Sequence, residues 1–213
     1  MQQLAMFAAA LLGGAVVTIQ ITLGAFLLAF LLGLLLAVID SMRVMLLRAL
    51  VATYVEVFRN VPALTLLFII YFGLAQVGIR LQPIPAAIIG LGLGGGAVLT
   101  EVFRAAFRAL HQGQREAALA VGMTPMMAIR HIILPQAWRV VLPPLGNYAV
   151  ALLKETSVAS AIAAPEIMFY ARQLVTRTFE TPLVYAMTSL LYLAMTVPMA
   201  HVVWRLEQRR RWA

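Results

Sequence analysis

The sequence has no cysteine. Disulfides, thiolate metal sites and cysteine nucleophiles are excluded with it. Charge is also scarce: Asp, Glu, Lys and Arg make up 11% of the 213 residues, against roughly 25% in soluble domains. Lysine occurs once, as Lys154 in "LLKET". A P-loop needs G-x-x-x-x-G-K-[ST] to cradle phosphates, so the chain carries none. "GLGLGG" at 90–95 matches G-x-G-x-x-G in form, but no strand precedes it and it lies inside a hydrophobic run. Glycines there let helices approach or bend. His111, His131 and His201 are far apart and lack H-E-x-x-H spacing, so no metal site and no cofactor is expected. There is no N-x-[ST] sequon. The first basic residue is Arg43, so the charged n-region of a cleavable signal is missing and an uncleaved first span is expected.

What is present in excess is hydrophobicity. Apolar residues make up 63% of the chain, and the mean hydropathy is +0.94. The composition predicts an all-α integral membrane protein with several spans of ~20 residues each and no separate soluble domain. The net charge of +8 would suggest nucleic acid in a soluble protein. In a membrane protein basic residues gather on the cytoplasmic side, so the expected partner is the lipid bilayer and not nucleic acid.

The hydrophobic runs predict about five transmembrane helices in one domain over 1–213, near 14–39, 52–75, 84–108, 138–160 and 183–204. A cytoplasmic loop is expected over 109–137. The piece 161–182 carries Pro165, Arg172, Arg177 and Glu180. It is too polar to span and is expected at the surface. If the N-terminus is outside, the inner segments hold eleven basic residues (Arg43, Arg48, Arg104, Arg108, Arg115, Arg130, Arg139, Arg205, Arg209, Arg210, Arg211). The outer segments then hold three, Arg80, Arg172 and Arg177. The asymmetry predicts an N-terminus outside and a C-terminus in the cytoplasm.

The segment 114–136, "QREAALAVGMTPMMAIRHIILPQ", is polar in an oily chain. "REAALAVG" reads as a helix closed by a left-handed Gly122. Thr124 suits an N-cap and Pro125 the first helical position. Pro135 is expected to end or bend what precedes it. Either a compact knob that docks another protein or an amphipathic loop on the membrane surface fits this pattern.

Charges inside spans are costly and usually face a polar interior. Glu56 and Arg59, three apart, can pair on one helix face. They form either an interfacial salt bridge or the inner mouth of a pathway. Glu101 and Arg104 repeat that spacing. Arg104 and Arg108 read as inner anchors, and Glu101 is a candidate gate or pathway residue. Asn147 and Lys154, seven apart, share a face of the fourth span. Residues 147–155 fall ~13–25 Å into the bilayer at 1.5 Å per residue, the depth at which transporters hold substrate. Glu155 suits a cation and Lys154 an anion, with hydroxyls from Thr156 and Ser157. Mutual neutralisation within the bundle is the other reading of these charges.

Several stretches together carry a resemblance. The pattern E-A-A-x3-G-x9-I-x-L-P is met by Glu116, Ala117, Ala118, Gly122, Ile132, Leu134 and Pro135. It resembles the EAA loop of bacterial ABC importer permeases. "YVEVFRNVPALTLLFIIYFGL" (54–74), "EVFRAAFRALHQGQREAALAVGM" (101–123) and "ILPQAWRVVLPPLGNYAVALLKETS" (133–157) are similar to the polar amino acid permeases of the histidine, glutamine and glutamate type. The likeness runs from about Thr18 to the basic tail. Three places, four residues in all, depart from the family pattern. A tyrosine is usual near Val98, where this chain reads "GGAVLTE"; Glu155 stands where aspartate is common, and Asn60–Val61 where Gly-Thr often precedes the proline. These leave the carried amino acid open.

The resemblance implies a type I importer transmembrane domain in the bacterial inner membrane. It implies a second permease subunit, identical or related, and ABC ATPase subunits beneath. A periplasmic or surface-tethered substrate-binding protein would deliver a polar amino acid. The helix after Gly122, entered through Met123, Thr124 and Pro125 and followed by Leu134 and Pro135, would be the coupling helix seated on the ATPase. No catalytic residue is implied in this chain. Apart from the resemblance, a secondary transporter driven by an ion gradient, or a non-transporting membrane scaffold, also fits an apolar chain with intramembrane acids.

Overall fold

The computed structural model describes residues 2–42, 44–109 and 117–211. Its elements among these are helical. Helix α1 (Gln2–Ser41) is followed by α2 (Met45–Asn60) and α3 (Ala63–Gln76). Then come α4 (Pro83–Ala109), α5 (Pro125–Ala128), α6 (Leu134–Glu155), α7 (Ile167–Thr178) and α8 (Thr181–Arg211). Three helices, α1, α4 and α8, are long and apolar enough to cross a membrane. The α2–α3 pair makes a fourth if it is counted as one span.

That pair is where the structure departs most from the hydrophobic pattern. The run 52–75 reads as one span, but α2 and α3 meet at 105°. The cause is local. Pro62 has no N–H to donate, and its ring pushes the preceding residue out of the helical region. Val61 is accordingly extended, at φ −82° and ψ 125°. Helix α3 then carries a π-turn over Ile69–Gly73.

Helices α1 and α4 run in the same direction and form the main seam. They approach closely because glycines face the contact: a Cβ built at Gly33 would lie 2.8 Å from Leu99 Cβ and 3.0 Å from the Thr100 nitrogen. Close backbone approach of this kind is the usual packing device between membrane helices. Of the three long helices α4 is the most enclosed.

Three clusters fill the interior. One joins α1, α3, α4 and α6 through Ile21, Leu67, Leu91 and Leu152. A second joins the end of α1 to α4 and α6 through Ala37, Leu99, Phe103 and Val141. The third sits at the opposite end of α1, where Phe7 and Leu11 meet Ile167 and Ala171 of α7 and Val184 of α8. The polar piece 161–182 is thus a short helix packed on the start of α1.

Where α1 ends, Arg104 of α4 is bonded twice to Asp40, with Nη2 to Oδ1 at 2.6 Å and Nε to Oδ2 at 3.0 Å. Its Nη1 donates to Glu101 at 2.7 Å. The expected Glu101–Arg104 pair is present. Asp40, the one acid of the first 42 residues, completes it. The Arg104 and Asp40 side chains are only 13% and 17% exposed, so removing one partner strands a charge. Arg104→Met is expected to destabilise the fold by ~3 kcal/mol, the low end for a broken buried pair. Asp40→Asn combined with Arg104→Met should recover most of that loss. Thermal unfolding of the three variants in detergent checks this; an unchanged midpoint in Arg104→Met would contradict it.

Candidate functional site

The bend between α2 and α3 opens onto a cavity of 120 Å³. At ~30 Å³ per molecule this is room for about four waters. Phe58, Arg59, Val61, Ala63 and Leu66 line it from the bend. Gly90, Leu91, Gly94, Gly95 and Val98 line it from α4, and Tyr148 and Glu155 from α6. Three of the α4 positions that line it are glycines. A Cβ at Gly95 would be 2.8 Å from Ala29 Cβ and from Tyr148 Cζ, so that position has no room for a side chain. The Tyr148 ring stacks on Phe26 at 6.2 Å between centroids.

Arg59 and Glu155 thus reach one cavity from different elements. Among the described residues, the ion pairs are those of Arg104. Arg59 and Glu155 therefore bring opposite charges to the same space without closing it as a salt bridge. An uncharged wall of small residues with one anion and one cation facing it is suited to a small zwitterion. The break itself adds backbone groups that helix pairing leaves free.

The sequence singled out Glu155 and Arg59, and the structure brings them together. It separates the others from them. The expected Glu56–Arg59 pair is not formed: Glu56 is exposed, and its Oε1 accepts from Asn60 Nδ2 at 3.3 Å. The bend turns the Arg59 end of α2 to the cavity, while Asn60 binds the preceding turn through Glu56 O at 2.7 Å. Asn147 is also turned away, its Nδ2 donating to Glu207 of α8 at 3.2 Å. The helical arithmetic explains this. Asn147 and Lys154 do share a face, and both are exposed. The cavity face is the next one round, that of Tyr148 and Glu155, also seven apart.

Ser157 and Thr156 use their hydroxyls on the backbone. Ser157 Oγ donates to Lys154 O at 2.8 Å and Thr156 Oγ1 to Leu153 O at 2.7 Å. They close the carbonyls released where α6 tightens into the 3₁₀ turn Thr156–Ile162. Glu101 is held by Arg104 at the far end of α4. Tyr148 and the α4 glycines were not singled out as site residues. The seven-residue spacing from Tyr148 to Glu155 was the available signal.

The segment before α6 has the local shape its sequence predicts. Glu116 lies outside the described residues. Residues 117–120 are helical, beginning with Ala117 and a buried Ala118. The helix closes in a Schellman arrangement: the Met123 N–H donates to Ala118 O at 3.0 Å and the Gly122 N–H to Leu119 O at 3.0 Å. Gly122 has φ +84°, the left-handed conformation this closure uses. Thr124 then caps α5, its Oγ1 accepting from the Met127 N–H at 3.3 Å. Pro125 is the first residue of α5.

The expected stop at Pro135 is not there. A π-turn over Ile129–Ile133 leads directly into α6 at Leu134, and the helical backbone passes through Pro135. The i→i+5 pairing has already displaced the ordinary ladder there, so the missing N–H of proline is accommodated. Helical backbone thereby runs from Pro125 to Glu155, joining the capped segment to the cavity.

Comparison with known proteins agrees with this arrangement. Residues 29–212 match the family described as "Binding-protein-dependent transport system inner membrane component". The probable glutamine ABC transporter permease protein GlnM of Bacillus subtilis (strain 168) is 38% identical over 156 residues, covering 73% of this chain and 72% of that protein. The L-cystine transport system permease protein TcyB of the same organism is 36% identical over 172 residues, 81% of this chain and 74% of that one. Among solved structures, an amino acid ABC transporter with histidines superposes with a TM-score of 0.90 at 30% identity. That likeness covers 97% of this chain and 96% of that one. The inward-facing MetNI methionine ABC transporter, at TM-score 0.71 and 21% identity, shares the fold. The chain belongs to the family of binding-protein-dependent transport system inner membrane components and is a permease subunit of an ABC importer, a transport protein and not an enzyme.

Proposed function

We propose that this permease carries a polar amino acid and that the cavity at the α2–α3 bend receives it, Glu155 meeting the ammonium group and Arg59 the carboxylate. The observation that carries the reading is the presence of those two charges, unpaired with each other, on one cavity of 120 Å³. The cavity is smaller than the ~300–1,000 Å³ of typical ligand sites, which suits a site that widens during the cycle or is completed by a second permease subunit. Relatives named for glutamine and L-cystine transport support the substrate class. Val61, Val98 and Glu155, at the three places where the chain departs from the pattern of the polar amino acid permeases, all line the cavity. Differences in carried amino acid would arise there.

The partners follow from the family: ATPase subunits, a second permease and a substrate-binding protein. Five spans, with α6 as the fourth and the N-terminus outside, give the eleven-to-three split of basic residues and put Gly122 and α5 in the cytoplasm. In that topology residues 117–135 meet the ATPase. The helical backbone from α5 through α6 supports a direct route for force, because displacement of α5 moves the element that carries Tyr148 and Glu155.

Two outcomes test this reading. Glu155→Ala should abolish uptake into vesicles while the complex with the ATPase still forms. Arg59→Met should raise the substrate concentration for half-maximal uptake 10- to 100-fold, from ~1.5–3 kcal/mol per charged hydrogen bond. Uptake at the unmodified rate by Glu155→Ala would remove the site assignment. Gly122→Val places a β-branched residue at φ +84°, a conformation costing an L-residue ~1–2 kcal/mol. It should uncouple ATP hydrolysis from uptake or detach the ATPase. The ratio of ATP hydrolysed to substrate accumulated reads this directly, and an unchanged ratio with unchanged uptake would contradict the coupling role.

A further inference from the structure

A second, larger hollow lies at the opposite end of the molecule from α5. It has a volume of 400 Å³ and is lined by Ser160, Ala161 and Ala163 from the 3₁₀ turn and by Phe169, Arg172, Gln173, Thr176 and Arg177 from α7. Helix α7 is two-sided. Ile167, Ala171 and Leu174 are buried against Phe7 and Leu11 of α1. Arg172, Gln173, Thr176 and Arg177 are exposed on the other face. Neither arginine has an ion-pair partner among the described residues. Glu180, the nearest acid after them in sequence, does not line the hollow.

This platform is firmly held. At Gly14 a Cβ would fall 2.8 Å from the Glu166 carbonyl carbon and the Ile167 nitrogen, so α1 and the start of α7 touch backbone to backbone. Glu166 is fully buried. Its Oε1 accepts from the Phe169 N–H at 2.7 Å and its Oε2 from the Tyr192 hydroxyl at 3.0 Å. The Ile167 N–H donates to Thr18 Oγ1 at 3.3 Å. At its other end α7 closes on Phe179, which is 84% exposed at φ 58°. A bulky residue in that region is an outlier, and here it leaves an aromatic ring exposed two residues after Arg177 in sequence.

The position matters as much as the chemistry. From Leu11, against which α7 packs, to Asp40 is 29 residues, or ~44 Å of helix at 1.5 Å per residue. That exceeds the ~30 Å hydrocarbon core. With Asp40 at one boundary, α7 lies at or beyond the other. Cations on the outer side run against the normal distribution of basic residues. Two of the three assigned there share this one helix face.

We propose that the polar face of α7 is a carboxylate-binding site that docks an acidic side chain of the substrate-binding protein. Arg172 and Arg177 take the carboxylate, the Gln173 amide is the further donor on that face, and the exposed Phe179 is the apolar anchor at the end of α7; the Ser160 and Thr176 hydroxyls donate to the backbone carbonyls of Ser157 and Arg172. Arginine with an aromatic residue is the composition of protein–protein hot spots. The proposal rests on the importer reading, and on a family whose transport is binding-protein-dependent. It also gives docking a route to the cavity. The 3₁₀ turn whose Ser160 and Ala161 line the outer hollow begins directly after Glu155, so a ligand seated outside presses on the segment that positions the acid.

The test uses the whole complex in proteoliposomes, with its ATPase and its cognate binding protein loaded with amino acid. The double variant Arg172→Ala/Arg177→Ala should raise the binding-protein concentration for half-maximal stimulation of ATP hydrolysis at least tenfold. It should flatten the dependence of that concentration on salt and leave unstimulated hydrolysis unchanged. Phe179→Ala should shift the same concentration without changing its salt dependence. Arg172→Lys/Arg177→Lys, which keeps the charges, should recover part of the loss. An unchanged half-maximal concentration in the double variant overturns the docking site alone. A shift that vanishes in purely zwitterionic lipid overturns it too, because the arginines then serve the membrane surface. No stimulation of the unmodified complex overturns the importer reading and this inference together.

Discussion

A backbone inside a bilayer has no water to bond, so it can leave the helix only where protein or a hollow satisfies it. Counted as one span, α2 and α3 bring the break at Val61–Pro62 under that constraint. Pro62 sends α3 away from α2 at 105°. The bend must be packed or hollow, and on its α4 side it meets glycines. A cavity remains there, lined on the α4 side by Gly90, Leu91, Gly94, Gly95 and Val98. Arg59 stands on the last turn before the break and Glu155 on the last turn of α6. Each would be costly in hydrocarbon. Both are tolerable at the edge of a hollow that water can enter, and in the proposed reading a charged substrate meets them there.

The second consequence concerns continuity. Schellman closure at Gly122 and the Thr124 cap set the direction of α5 relative to what precedes it. From there the helical backbone passes through a π-turn and Pro135 into α6, ending beside Glu155. The protein thereby places a sharply defined entry at one end of a helical path and a charged wall of the cavity at the other. At the far end of the same path the 3₁₀ turn hands over to α7, anchored by the fully buried Glu166. One stretch of chain therefore joins the capped segment at Gly122–Thr124, the cavity and the 3₁₀ turn that leads to α7.

Much of this was legible in the sequence, for identifiable reasons. The helix closure at Gly122, the cap at Thr124 and the pair Glu101–Arg104 are local, set by residues within four positions of one another, and the sequence displays such relations directly. The candidates Arg59 and Glu155 stood out because charge is rare in the chain. Tertiary facts were hidden. Asp40 is the main partner of Arg104, 64 residues away, a relation no local spacing displays. Polarity marks Asn147, but one residue turns a helix by ~100°: Asn147 points toward Glu207 and its neighbour Tyr148 toward the cavity. The break at Pro62 is masked by the high average hydrophobicity of 61–72, since hydropathy averages over the one atom, the missing amide hydrogen, that decides the geometry. The polar piece 161–182 showed neither its helix nor its seat on α1, because the glycine that admits it, Gly14, lies about 150 residues earlier.

The central claim is that an amino acid is held between Arg59 and Glu155 at the helix break. The most direct measurement is a structure of the assembled complex, with both permease subunits and the ATPase, determined with the transported amino acid bound. The account predicts the substrate ammonium within hydrogen-bond distance of Glu155 and its carboxylate within reach of Arg59, in a cavity wider than the present 120 Å³. Substrate bound elsewhere along the helices, with Arg59 and Glu155 contacting only protein, would contradict it.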